Sequence, residues 1–204
     1  MTTYTYGDGD NLSVTGFGAN NTFTLGAGDF DTVNISGGST NDTITLGNGD
    51  GDVVNGSSGR NSHDKITLGN GDGDTVTMVG QHNKITVGNG NNDTVYSSNF
   101  STVKVGNGND TIHVGTADTI TLGYGNDTLI FDQTTPGTIG KVTINHFDPS
   151  KDVITIQSSL ATNVTYHDVN GNAVITVVDG SGHDTITLVG VHSSALHASD
   201  FHFV

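Results

Sequence analysis

The sequence predicts an all-β chain, a right-handed parallel β-roll of stacked coils closed by a C-terminal β capping module. Three observations carry this. A short stretch (an apolar residue, Gly, any residue, Gly, then Asp or Asn ahead of a β-branched pair) begins at Leu25, Leu46, Leu68, Val87, Val105 and Leu122. These starts lie 21, 22, 19, 18 and 17 residues apart, a drifting period close to one coil of a solenoid. Between the loops, Val, Ile and Leu alternate with Thr, the period of a half-buried strand. After Phe131 the periodicity stops, and the only two prolines, Pro136 and Pro149, follow. Residues 1–131 are therefore read as the roll and 132–204 as the cap. The expected hand is that of parallel crossovers in general.

Taken in order, residues 1–21 hold a degenerate turn, Gly7-Asp8-Gly9-Asp10, followed by Leu12 and Val14. This reads as the N-terminal cap of the roll or as the cut edge of a longer protein. From Thr22 to Phe131 each coil contributes one strand before its glycine loop, such as Thr43-Ile-Thr-Leu46, and one after it, such as Thr75-Val-Thr-Met78. The inward set is Phe23, Leu25, Val33, Ile35, Ile44, Leu46, Val54, Ile66, Leu68, Val76, Met78, Ile85, Val87, Val95, Val103, Val105, Ile112, Val114, Ile120, Leu122, Leu129 and Phe131. Two sheets then face each other across a thin core. The loops on the opposite edge, Ser36 to Asp42, Asn55 to Asp64, Val79 to Asn83, Ser98 to Ser101 and Gly115 to Asp118, shrink along the chain and lack the second glycine, so the motif lines one edge only. In the cap, Ile144 to Ile154, Ala173 to Val178, Asp184 to Val191 and Leu196 to Val204 are the ordered stretches, mostly antiparallel.

The 204 residues carry 6 basic and 21 acidic side chains, and every acidic one is Asp. The short carboxylate suits tight turns, where it reaches its own backbone or a cation held by that backbone. A net charge of −15 excludes a phosphate-binding basic patch, so no nucleic acid is expected. Within the first 131 residues, 14 Asp face 4 basic residues, which would repel one another in a compact roll unless a cation intervened. Cysteine is absent, so disulfides and thiolate metal sites are excluded. Neither a Sec-type leader nor an apolar stretch of membrane-spanning length is visible.

Hard cations take several oxygens of both carbonyl and carboxylate type, and the glycine loops offer both. The candidate calcium ligands are Asp31, Asp52, Asp74, Asp93, Asp110 and Asp127, with Asp29, Asp50 and Asp72 as second carboxylates. The loop carbonyl donors are Gly26, Gly28, Gly47, Gly49, Gly69, Gly71, Gly88, Gly90, Gly106, Gly108, Gly123 and Gly125. Paired glycines are read as allowing positive φ and leaving carbonyls unshielded. Ions shared between neighbouring loops on this one edge would number about five.

Residues Val105 to Ile112 (VGNGNDTI) and Leu122 to Leu129 (LGYGNDTL) resemble the haemolysin-type, or RTX, nonapeptide repeat G-G-x-G-x-D-x-apolar-x, except that the first Gly is apolar. The four earlier loops each carry one residue more before the aligned Asp. Residues 132–204 are similar to the segment that closes such proteins, most specifically in the ending Asp200-Phe-His-Phe-Val204. The resemblance implies a roll that folds on binding calcium. It also implies a capping segment carrying an uncleaved signal read by the type I secretion machinery, hence a secreted bacterial protein.

The leading expectation is thus a calcium-folded, non-catalytic module. The alternative is a binding module for an extracellular polysaccharide or cell surface, similar to the roll modules attached to alginate epimerases. Ice binding by the outward Thr rows is a weaker option, because Lys65, Lys84 and Lys104 interrupt them. Nine His residues invite a transition-metal reading, but His192, His197 and His202 lie five apart and do not share a strand or helix face. Without Glu there is no His-Glu-x-x-His motif, and no nucleophile elbow is present, so no enzyme activity is expected.

Overall fold

The computed structural model describes residues 2–36, 38, 40–56, 61–132, 139–157, 163–178 and 183–204. Pro136, parts of the loops from Ser36 to Asp42 and from Asn55 to Asp64, and the Phe17 side chain lie outside the described set.

The chain is a parallel β-solenoid. One wall is built from β1 (Thr3–Thr5), β3 (Thr22–Thr24), β5 (Thr43–Thr45), β7 (Lys65–Thr67), β9 (Lys84–Thr86), β11 (Thr102–Lys104) and β13 (Thr119–Thr121). The facing wall holds β2 (Ser13–Phe17), β4 (Thr32–Ser36), β6 (Val53–Asn55), β8 (Thr75–Thr77), β10 (Thr94–Tyr96), β12 (Thr111–His113) and β14 (Thr128–Phe131). Consecutive strands thus alternate between walls, each pairing in parallel with the equivalent strand of the next coil. Most strands are three residues long, so only the central side chain points inward. Those side chains stack in two columns. Phe23, Ile44, Ile66, Ile85, Val103, Ile120 and Ile144 pair in register on one wall. Val33, Val54, Val76, Val95, Ile112, Leu129 and Ile154 do so on the other. Every member of both columns is fully buried, and the β-branched majority suits the pleat. Of the inward set read from the sequence, only Val114 is less than buried, packing partly against the core.

The parallel stack continues past Phe131, where the glycine loops end. Strand β15 (Lys141–Asn145) pairs with β13, and β16 (Val153–Ile156) pairs with β14. The sequence-expected antiparallel cap is then formed by β17 (Asn163–Val169), β18 (Asn172–Val178) and β19 (His183–Val189), whose meander joins the first wall by parallel pairing of β19 with β15. Two short 3₁₀ turns, Ser193–Ala195 and Ala198–Asp200, lead to β20 (Phe201–Phe203), which closes the second wall against β16. Among the described residues no helix is long and apolar enough to cross a membrane.

The loop glycines serve a different purpose from the one their pattern suggests. Among the twelve, only Gly125 has positive φ. What excludes a side chain is the next coil. A Cβ on Gly49 would lie 1.8 Å from the Gly28 carbonyl oxygen, and one on Gly71 only 1.6 Å from that of Gly49. Positive φ falls instead on the residue just before the aligned Asp of the longer loops, at Phe30, Gly51, Gly73 and Asn92. The extra residue of those loops is therefore absorbed as one left-handed step.

Gly71→Ala should cost at least ~3 kcal/mol in urea unfolding, because backbone rather than a flexible side chain blocks the methyl. Gly7→Ala, whose Cβ meets nothing within 4 Å, should stay within ~0.5 kcal/mol of the parent.

Candidate metal-binding ladder

Each coil of the solenoid turns twice, and at each turn a backbone N–H faces the neighbouring coil with no strand partner. On the glycine edge a carboxylate supplies the acceptor. The N–H of Leu12 donates to Asp31 Oδ1 (2.8 Å), that of Asp31 to Asp52 Oδ1 (2.9 Å) and that of Asp52 to Asp74 Oδ1 (2.9 Å). The same bond recurs from Asp74 to Asp93 (2.8 Å), Asp93 to Asp110 (3.2 Å), Asp110 to Asp127 (3.0 Å) and Asp127 to Asp152 (2.9 Å). The six aspartates singled out in the sequence are thus brought into one buried column between the walls. Asp152, which sequence reasoning did not single out, completes it. Its second oxygen accepts the N–H of Asp148 (2.8 Å), ending the ladder within its own loop.

The other six carboxylates are not completed in this way. Oδ2 of Asp31, Asp52, Asp74, Asp93, Asp110 and Asp127 is buried and has no hydrogen-bond partner. Each oxygen needs a proton or a cation, since an isolated buried negative charge is costly. Burial is accordingly the largest influence on these carboxyls. It pushes Asp52, Asp93 and Asp127 up to about 6 and Asp74 and Asp110 up to about 7, and raises Asp31. Neighbouring carboxylates, including the exposed Asp29, Asp50 and Asp72, push further in the same direction.

Asp29, Asp50 and Asp72 stand outside the column in an outer ladder. The N–H of Asp50 donates to Asp29 Oδ1 (3.0 Å), that of Asp72 to Asp50 Oδ1 (2.9 Å) and that of Asn91 to Asp72 Oδ1 (2.7 Å). The residue between the two glycines forms another, through Asn48, Asn70, Asn89 and Asn107 to the N–H of Tyr124. Stacking of the glycine loops is therefore held by side-chain amides and carboxylates together. The first glycine adds main-chain bonds, such as Gly47 N–H to Gly26 O (2.9 Å) and Gly69 N–H to Gly47 O (2.9 Å).

The opposite edge lacks the glycine motif. It carries its own ladder: Asn21 N–H to Asp42 Oδ1, Asp42 to Asp64 Oδ1, Asp64 to Asn83 Oδ1, Asn83 to Ser101 Oγ and Ser101 to Asp118 Oδ1, at 2.6–3.2 Å. The preceding residue again takes positive φ, at Asn20, Asn41, His63, His82, Phe100 and Ala117. The signal was present in the sequence as Asn, Asp or Ser immediately before each strand, a shorter motif than the glycine loop. Here, however, the acceptors are mostly satisfied or neutral. Asn83 Nδ2 donates to Gly80 O and Ser98 Oγ, and Asp118 Oδ2 accepts from Ser97 Oγ and Gly115 N–H. Among the described residues only Asp64 has an unpartnered Oδ2 on this edge.

Among the described residues no three His, Cys, Asp or Glu side chains gather as a metal-holding group. A cation on the ladder would have to complete its shell with main-chain carbonyls, which suits a hard oxygen-seeking ion and not zinc. The C-terminal histidines do not converge: His192 faces Asp168 (3.7 Å) and His197 faces Asp200 (4.0 Å). No described protein family and no curated protein matches the chain.

The buried carboxyls hold protons more tightly folded than unfolded, where their value is 3.8. In metal-free buffer, stability should therefore be greatest at mildly acidic pH and fall as pH rises from about 4 through 7, once they ionise in the folded state. Thermal melts between pH 4.5 and 8 in chelator read this directly. A flat or rising profile would contradict the burial of the Oδ2 atoms.

Proposed function

We propose that the chain is a calcium-binding, calcium-folded, non-catalytic module of a type I secreted bacterial protein, working outside the cell. The observation that carries this reading is the row of buried, unpartnered Oδ2 atoms, one in each successive coil from Asp31 to Asp127. At neutral pH and above, ionisation places negative charges down one column, and divalent cations between coils would turn that repulsion into cross-links. Asp31, Asp52, Asp74, Asp93, Asp110 and Asp127 would supply carboxylate oxygens and the adjacent glycine loops carbonyls. The one-edge placement is favoured because, among the described residues, Asp64 alone presents such an atom on the other edge.

Cation binding and folding are one process in such a stack. The ladder exists only when coils are stacked, so the ion's binding free energy becomes folding free energy. In low cytosolic calcium the acidic coils stay open, a state compatible with export. Outside, calcium closes them onto the C-terminal cap, whose ending resembles the type I signal. Affinity per site should be roughly 10⁻⁴ to 10⁻³ M, the range of extracellular modules.

Calorimetry should show cooperative calcium uptake coupled to a rise in β-structure by circular dichroism. No uptake, or equal response to magnesium, would sink the proposal. Asp74→Asn gives a sharper test because it keeps an oxygen for the Asp52 N–H while removing the charge. In chelator the variant should stay folded to a higher pH than the parent, and in saturating calcium at pH 8 it should be less stable by ~1 kcal/mol or more. The same sign under both conditions would separate the ladder from metal binding.

A further inference from the structure

Where the glycine loops end, the repeat breaks in a way that makes a groove of about 760 Å³. Its floor is the outer face of the first wall, where Thr86, Lys104 and Thr121 pair in register, and one side is the glycine edge. The other side is the loop carrying His146, Asp148 and Lys151, which replaces the glycine loop of the next coil. The position that holds Asn in the preceding four loops is Tyr124 here. Its N–H still donates to Asn107 Oδ1 (3.0 Å), but the residue is 81 % exposed beside the groove.

The loop is braced by its own hydrogen bonds. Asp148 accepts from Ser150 N–H and Oγ at 3.0 and 2.6 Å, its own N–H reaches Asp152 Oδ2, and His146 Nδ1 lies 3.3 Å from the Leu122 carbonyl. Lys151 is paired with Asp148 at 3.5 Å. Lys104 is different: it is exposed and has no ion pair among the described residues, in a chain with only six basic side chains against 21 acidic ones.

We infer that this groove binds a carboxylated saccharide, with the Tyr124 ring against the apolar face of a sugar and the Lys104 ammonium on its carboxylate. An open aromatic ring flanked by hydroxyls and amides matches a sugar, which has one C–H face and a polar rim. A phosphate would call for several converging donors, whereas a single unpaired ammonium matches one carboxylate. The net acidity of the chain does not forbid this, because charges beyond about 8 Å are largely screened at physiological salt. Three coils line the groove at about 4.8 Å each, long enough for a few linked rings. Preformed walls lower the ordering cost of binding. The inference deepens the polysaccharide-binding alternative by naming a site and a sugar class, and does not depend on where calcium binds.

The test is calorimetric titration of the full chain, at fixed free calcium, with trigalacturonic acid and with neutral galactotriose. Saturable binding of the acidic trimer is expected, with the neutral one about tenfold weaker or more. Lys104→Met and Tyr124→Ala should each weaken the acidic trimer about tenfold, while Lys65→Ala, on the same wall but outside the groove, should leave it unchanged. Absence of saturable binding by protein shown folded by circular dichroism, equal binding of both trimers, or equal damage from Lys65→Ala overturns the inference. Each of these leaves the calcium reading standing. Binding of the acidic trimer by protein that folds without calcium supports the groove and overturns the calcium reading alone.

Discussion

The structure depends on the need of every turn N–H to find an acceptor in the adjoining coil. Strand hydrogen bonds satisfy the walls, but in a parallel solenoid they stop at each corner, where the coils still lie less than 5 Å apart. Water cannot enter between turns so closely stacked. The chain solves this with short side chains that reach across: Asp on the glycine edge, and Asp, Asn or Ser on the other. Glu would overshoot, which gives a physical reason for an acidic complement made entirely of Asp. The same closeness excludes Cβ atoms from the glycine loops. Composition, glycine spacing and ladder are consequences of one distance.

The two edges meet that need with different electrostatic outcomes. At Asn83 and Ser101 the acceptor is neutral, and at Asp118 both oxygens are occupied, so much of that corner carries little unresolved charge. On the glycine edge a carboxylate stands at every rung, and from Asp31 to Asp127 each has one oxygen bonded and one left over. An Asn at each rung would offer the same acceptor oxygen without the charge. Retaining Asp at six successive rungs couples the stability of this edge to whatever neutralises it.

Much of this was legible in the sequence, because period-two alternation and a fixed loop period report directly on facing walls and stacked coils. The inward set from Phe23 to Phe131 was readable for that reason. The glycine loops were recognised, but their cause was not: pattern alone cannot distinguish a residue chosen for positive φ from one chosen because the next coil presses on it. The opposite-edge ladder is harder to read because its single position tolerates Asn21, Asp42, Asp64, Asn83, Ser101 and Asp118 alike. Three chemistries that all offer an oxygen at the same reach do not look like a repeat. Parallel pairing of β19 with β15 lies further beyond local reading, since it joins segments more than forty residues apart across a meander. The groove beside Tyr124 was equally hidden, being a product of two loops of unlike length meeting at the end of the repeat.

Nearest-neighbour stacking also decides how the molecule bears tension. In most of the stack each coil touches only the one before and the one after, and its wall hydrogen bonds run along the solenoid axis. A load drawn along that axis, between the first coil and the capped end, falls on one layer of bonds at a time. The protein would therefore yield by peeling and not by shear, lengthening in steps of one coil, each releasing 17 to 22 residues of chain. Rungs that stiffen under cation would raise the force of every step without changing its length, making the roll an extensible tether whose resistance follows the surrounding medium.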